Sequence, residues 1–257
     1  MINTIRYRSA LLIVAFCGIM GNSFAAAPTC LKETAAALGA SEQQVTITQT
    51  TGKLKSVMKV RFATHPPKTQ NSPAKLWVRF DAPQDVRGST YLILSVPQKD
   101  DVYVWLPSLN RVKRIQGSAI QGSFWGTDFS YADLKHLQGE AANHEMELLS
   151  LKSPDNLGRT VNWYQIKNTT TPTQHQKTLL ALDAKACFIT QVDFYAKARD
   201  TQPVKRLTIP LNQVQKVGEF TVPKAYQMQD LLTGNQTLVM IDKAKYQVNI
   251  TEKAFST

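Results

Sequence analysis

The chain has 257 residues, 43% hydrophobic and 19% charged, which excludes a disordered or fibrous class and leaves an ordinary globular protein. The formal net charge of +11 favours anionic counterparts, such as lipid headgroups or an acidic patch on a partner.

Residues 1–25 read as a secretory signal peptide. Arg6 and Arg8 make a positive start, Ala10 to Met20 is an apolar run, and Ser23-Phe24-Ala25 supplies small residues before a cleavage site. The run is too short, and wrongly flanked, for a spanning helix. Residues 26–257 are then expected to form one exported domain, soluble after cleavage, with a net charge of +9 once Arg6 and Arg8 are gone. Export argues against nucleic acid as a partner. Cys17 follows Phe16 and Cys30 follows Pro28-Thr29, so neither has the small-residue context of a lipid anchor. In an oxidising compartment Cys30 and Cys187 read in two ways, as a disulfide tying the first helix to a late strand or as two buried thiols.

Cys30 to Ala40 is an alanine-rich helix stopped near Gly39. Strands follow at Gln44–Thr51, Lys53–Thr64 and Leu76–Ala82, with a polar loop at His65–Pro73. In the second of these strands Met58, Val60 and Phe62 alternate with Lys59 and Arg61. In the third, Leu76, Val78 and Phe80 alternate with Trp77 and Arg79. Period-two alternation marks half-buried antiparallel strands. After a turn at Pro83–Gly88 come Tyr91–Val96, Val102–Leu106 and Arg111–Ile115. Later strands are expected at Glu145–Lys152, Thr160–Lys167, Lys177–Leu182, Phe188–Ala196, Val204–Ile209, Gln213–Val217, Tyr226–Leu232 and Thr237–Lys243. So many short strands with so little helix predict one antiparallel barrel or sandwich.

Catalytic chemistry is not assigned. His65, His136, His144 and His175 form no HxH or HExxH pattern, and Asp133, His136 and His144 match no compact zinc spacing. There is no GxSxG motif, and Gly117, Gly122 and Gly126 are too loosely spaced to cradle a phosphate. The expectation is a binding protein, not an enzyme, with no metal or cofactor.

The stretch from Asp101 to Leu134 organises the rest. Val102, Val104 and Leu106 lie on one strand face and Tyr103 and Trp105 on the other, so both faces need a cover. Phe124 and Trp125 stand between glycines in a loop suited to a hinged flap, and Ser130 with Asp133 makes a capping box for a short helix carrying Tyr131 and Leu134.

Three runs carry a family resemblance. They are Pro83-Gln-Asp-Val-Arg-Gly-Ser-Thr-Tyr-Leu92, Val102-Tyr-Val-Trp-Leu-Pro-Ser-Leu-Asn-Arg-Val-Lys-Arg-Ile115 and Gly122-Ser-Phe-Trp-Gly-Thr-Asp-Phe-Ser-Tyr-Ala-Asp-Leu134. Weaker likeness continues through Phe188–Ala196 and Val248–Phe255. The sequence resembles the LolA-like outer-membrane lipoprotein-sorting proteins, in the branch that accompanies RND-type exporters.

The resemblance implies a half-open, strongly curved antiparallel β-barrel covered by a few short α-helices. It also implies a periplasmic carrier that moves lipid or lipoprotein acyl chains between the inner and outer membranes. An RND-type inner-membrane exporter and an outer-membrane acceptor would be its partners. Acyl chains would lie against Phe62, Phe80, Leu94, Val104 and Leu106, under Phe124, Trp125, Phe129 and Tyr131. Those aromatics can equally be permanent core. Arg111, Lys113 and Arg114 read as a headgroup or partner docking patch, or as a solvated, charge-protected strand. The alternative function is a non-enzymatic accessory subunit of an exporter or envelope complex, its barrel filled by its own side chains.

Overall fold

In the computed structural model, alternation of apolar and polar residues has produced strands over more than half of the described residues. Residues 25–67, 72–96, 99–131, 133–134, 144–167, 175–183 and 185–250 are described. A two-residue strand β1 (Ala25–Ala26) and helix α1 (Thr29–Leu38) precede β2 (Ser41–Thr51), β3 (Leu54–His65), β4 (Ala74–Ala82), β5 (Thr90–Val96), β6 (Lys99–Leu106) and β7 (Arg111–Ile115). The second half holds β8 (Glu145–Pro154), β9 (Thr160–Ile166), β10 (Lys177–Asp183), β11 (Phe188–Tyr195) and β12 (Lys205–Thr208). The hairpin β13 (Val214–Val217) and β14 (Phe220–Pro223) follows, then β15 (Ala225–Asp230) and β16 (Gln236–Tyr246).

Fourteen of these strands form one curved, open sheet in the order β1-β8-β9-β10-β11-β12-β15-β16-β2-β3-β4-β5-β6-β7, with β13 and β14 paired apart. Every pairing is antiparallel. The chain closes its middle by pairing β16 with β2, which puts the two halves side by side and leaves β7 at one end of the sheet.

Register decides the core. Side chains directly opposite one another in a pair share a face. Val60 faces Phe80, Val78 faces Tyr91 and Tyr91 faces Val104, so one apolar stripe crosses β3 to β6. Across the seam Val45 meets Ile241 and Ile47 meets Val239, and the stripe runs on through Met228, Leu207 and Val192 to Leu180. This is the concave face, and it holds the largest hydrophobic cluster. The opposite face carries a smaller cluster in which Ala63 and Leu92 pack with Trp77, Leu94, Tyr103 and Ile250.

Helix α1 covers the far end of the concavity. Its apolar side sets Leu31 and Ala35 against Met146, Ile166, Leu180 and Leu182. The helix ends at Gly39, whose φ of +56° suits a residue without a Cβ, and whose N–H donates to Ala35 O. Cys30 on α1 is bonded to Cys187 just before β11, with Cα atoms 6.0 Å apart. Closing a loop of 157 residues stabilises by about 4–5 kcal/mol in the chain-entropy account.

Some boundaries differ from expectation. Strand β2 starts at Ser41 instead of Gln44, because pairing with Thr64 on β3 and Tyr246 on β16 extends it. Strands β1 and β14 were not anticipated. Each is too short to show periodicity and exists only through its partner. Of the expected signal peptide, residues 1–25, the first 24 lie outside the described residues and Ala25 is in β1.

Candidate functional site

The concave floor between β2 and β6 is roofed by a loop of the same chain, Gly122 to Leu134. Phe124 is 1% exposed, Phe129 2% and Leu134 2%, all inside the main cluster, and Trp125 is half-buried against it. Phe80 and Tyr91 are the floor's main contacts. Phe124 lies 5.8 Å from Phe80 and 5.3 Å from Tyr91 between ring centroids, and Trp125 lies 5.2 and 5.9 Å from the same two rings. Tyr131 completes the group, 5.7 Å from Tyr91 and 5.6 Å from Phe124. Offset and edge-on pairs at these separations add about 0.5–1.5 kcal/mol each beyond burial. Burial pushes the Tyr91 and Tyr131 phenols above the ordinary tyrosine value, so both stay neutral.

The loop holds its own shape. Phe124 N–H donates to Phe129 O at 2.6 Å and Thr127 N–H to Phe124 O at 3.0 Å. Thr127 Oγ1 donates to Phe124 O at 2.6 Å, and Ser123 Oγ donates to Thr127 O at 2.5 Å. Trp125 at φ +52° and Gly126 at φ +75° turn the chain so that Phe124 and Trp125 both point down. Ser130 N–H donates to Asp133 Oδ2 at 2.7 Å and Asp133 N–H to Ser130 Oγ at 3.1 Å, a reciprocal capping box. Of the short helix expected to carry Tyr131 and Leu134, residue 132 and everything from 135 to 143 lie outside the described residues, as does His136.

Polar contacts attach the loop to the floor. Asp128 N–H donates to Thr237 Oγ1 at 2.9 Å, and Thr237 Oγ1 is 2.7 Å from Asp128 Oδ2. Gln49 Nε2 donates to Gly126 O. Lys205 Nζ lies 2.5 Å from Asp133 Oδ2, with side chains 11% and 3% exposed. Burial raises the Asp128 carboxyl above its ordinary value. The Thr237 hydrogen bond opposes that shift, and the Asp230 charge adds to it.

Several residues picked from the sequence meet at this place. Phe62, Phe80 and Val104 lie on the buried floor and Leu106 packs against it, with Phe124, Trp125, Phe129 and Tyr131 above. Leu94 is a correction: it lies on the opposite face, with Leu92, Trp77 and Tyr103, while its neighbour Ile93 takes the concave position. One residue of register flips a strand's side chains from one face to the other, and Leu94 is opposite Asp101, out of phase with Val102. Arg111, Lys113 and Arg114 are exposed on the end strand β7. They do not form one patch. Lys113 is opposite Val104 and Arg111 opposite Leu106, on the concave side, whereas Arg114 is opposite Tyr103. Arg114 pairs with Asp101 there and lies 5.8 Å over the Tyr103 ring.

The polar floor was missed in the sequence. Lys205 is in phase with Leu207 on a half-buried strand, a signal of an inward charge, and Thr237 is in phase with Val239 and Ile241. Among the described residues no group of three or more His, Cys, Asp or Glu is placed to hold a metal. No helix among them is long and apolar enough to cross a membrane. A separate hollow of about 310 Å³ lies between the end of α1 and the β13–β14 hairpin, lined by Leu38, Phe220 and Tyr246 among others.

Residues 73–257 match a protein family described as "Uncharacterized protein". The chain belongs to this family. Solved structures share the fold. One is a putative outer membrane lipoprotein-sorting protein domain from Vibrio parahaemolyticus, 23% identical, with a TM-score of 0.74 over 88% of this chain and 94% of that one. Another is a DUF1329 family protein from Desulfovibrio piger, 20% identical, with a TM-score of 0.75 over 88% and 94%. A LolA superfamily protein from Nitrosomonas europaea is 14% identical, with a TM-score of 0.69 over 91% and 98%. The family member described here therefore has a LolA-like fold. No curated protein matches the chain.

Proposed function

We propose that this protein, processed near residue 25 to a single domain, is a soluble periplasmic carrier that binds acyl chains of lipids or lipoproteins in its half-barrel. It would move them between the inner and outer membranes. The observation that carries the reading is the aromatic loop on the concave floor. A wide apolar face is covered by a loop that bonds mainly to itself and touches the floor through rings and a few polar contacts. An acyl chain is apolar, as those rings are, so cargo and loop compete for one seat. The likeness to a putative outer membrane lipoprotein-sorting protein domain supports this direction.

Arg111 and Lys113, exposed on the concave side of β7, are suited to meet headgroups or an exporter's acidic surface as cargo enters. The test is lipid extraction and native mass spectrometry of the purified protein, with titration of an apolar fluorescent probe. Bound lipid, or saturable probe binding lost on competition with fatty acid, supports the carrier. Repeated recovery without lipid and without probe binding sinks it.

A second reading, an accessory subunit of an RND-type exporter or envelope complex, is favoured by the near-complete burial of Phe124, Phe129 and Leu134. With the loop as permanent core, the protein co-purifies with a membrane partner and its probe affinity stays nil in variants that loosen the loop.

A further inference from the structure

The loop brings more than rings to the floor. It carries two carboxylates, Asp128 and Asp133, into an otherwise apolar seat, and each meets a polar group of the floor. Asp133 meets Lys205, the lysine of β12 opposite Phe194, whose ring is in the concave cluster. Among the described residues Lys205 is the only lysine or arginine in the buried set. A buried ammonium is tolerated only with an acceptor against it.

Any cargo that displaces the loop removes Asp133 from Lys205. Asp230 is opposite Lys205 on β15, but its Oδ1 already accepts from Leu232 N–H at 2.8 Å and Thr233 N–H at 2.9 Å. A neutral amphiphile would leave the ammonium facing Phe194 and Leu207 with its nearest acceptor gone. An amphiphile with an anionic end would replace the lost carboxylate while its chain replaces the rings.

Resting on the carrier reading, we infer that the site selects anionic amphiphiles, with Lys205 as the receptor for the acidic group and Asp133 as its internal stand-in. The shared chemistry is an acyl chain ending in an anion, whether a fatty-acid carboxylate or a phospholipid phosphodiester. The loop is then an intramolecular competitor that matches its cargo in both apolar character and charge.

The test compares 11-(dansylamino)undecanoic acid with its methyl ester, by fluorescence titration at pH 7.5 and constant salt. The wild-type chain is expected to bind the acid about tenfold more tightly than the ester, the worth of one charge-assisted hydrogen bond. Lys205→Arg keeps the preference. Removing both charges, in Lys205→Met with Asp133→Asn, strands neither one and leaves a side-chain oxygen for the Ser130 N–H, so this variant folds, still binds the ester and loses the preference. Near-UV circular dichroism checks its packing. Displacement of the acid probe by palmitate or by lysophosphatidylglycerol supports the inference, and the stronger competitor names the source of the anion. Equal affinity for acid and ester, or a preference that survives in the double variant, overturns the inference and leaves the carrier standing. Failure of both probes to bind the wild-type chain overturns the two together.

Discussion

Lys205 Nζ and Asp133 Oδ2 meet at 2.5 Å across 72 residues of sequence, joining strand β12 to the end of the aromatic loop. Both side chains are almost fully withdrawn from water, so the pair behaves as one unit. Removing one charge strands the other, whereas removing both charges strands neither. Asp133→Asn, which keeps an acceptor for the Ser130 N–H, is expected to lower stability by about 3–5 kcal/mol, and adding Lys205→Met to recover most of that loss. Urea unfolding of the single and double variants measures this. Equal losses in both would mean the ions do not depend on each other.

Phe124 tests what the loop is. It is 1% exposed and packed between Phe80, Tyr91 and Tyr131. Phe124→Ala should cost about 3–5 kcal/mol of stability in the ligand-free protein. Under the carrier reading it also weakens the loop as a competitor, so affinity for an apolar probe rises. Lower stability with no gain in binding would favour permanent core.

Two carboxylates, the buried Asp155 and the half-buried Asp128, should pull stability in opposite directions as pH changes. Burial works against the charge on Asp155, but the Arg159 guanidinium, 2.6 Å away, and the backbone N–H groups of Arg159 and Leu157 outweigh it. Its carboxyl is held below the ordinary value, so the unfolded state binds the proton more readily. That contribution is present above the ordinary carboxylate range and is lost as pH falls through the lowered value. Asp155→Asn should flatten this acid limb.

Asp128 has the reverse sign. Burial raises its carboxyl, so the folded state binds the proton more readily and the ionised group destabilises the closed loop at neutral pH. Acidification through the raised value should relieve that cost. Asp128→Asn should remove the relief, and stability curves from pH 7 to pH 2 for the two variants would separate the effects. Parallel curves would contradict both assignments.

The bond between Cys30 and Cys187 holds α1 onto the β8–β11 end of the concavity. Replacing both cysteines with alanine should lower stability by about 2–5 kcal/mol. The wild-type chain should lose a similar amount in reductant and the variant nothing. A variant that melts like the oxidised wild type would show that packing of Leu31 alone seats the helix.

On strand β7, Arg111 and Lys113 have no ion-pair partner among the described residues, whereas Arg114 has Asp101. If these two meet headgroups, Arg111→Gln with Lys113→Gln should weaken binding to phosphatidylglycerol vesicles by about 1 kcal/mol per residue. Arg114→Gln should matter less. Unchanged co-sedimentation at low salt would leave β7 as a solvated edge.

Much of the architecture was legible because alternation is a local signal. Met58, Val60 and Phe62, or Leu76, Val78 and Phe80, declare their buried face in a few residues of sequence. The capping box at Ser130 and Asp133 was legible for the same reason, since both partners lie three residues apart. Leu94 was misread because strand β5 is apolar on both faces, and Tyr91, Leu92, Ile93 and Leu94 show no alternation to choose by. Lys205 carried a readable phase, but its meaning depends on a loop far away in the chain.

By itself the sequence determined the antiparallel strands, the two-sided apolar centre and the aromatic loop, because each rests on periodicity or composition within a dozen residues. Only the tertiary structure decided that β16 pairs with β2, that Ile93 faces inward in place of Leu94, and that Lys205 receives Asp133. Register and long-range charge pairing join residues that no local pattern connects. Those two determine where the loop sits and what it must give up to open.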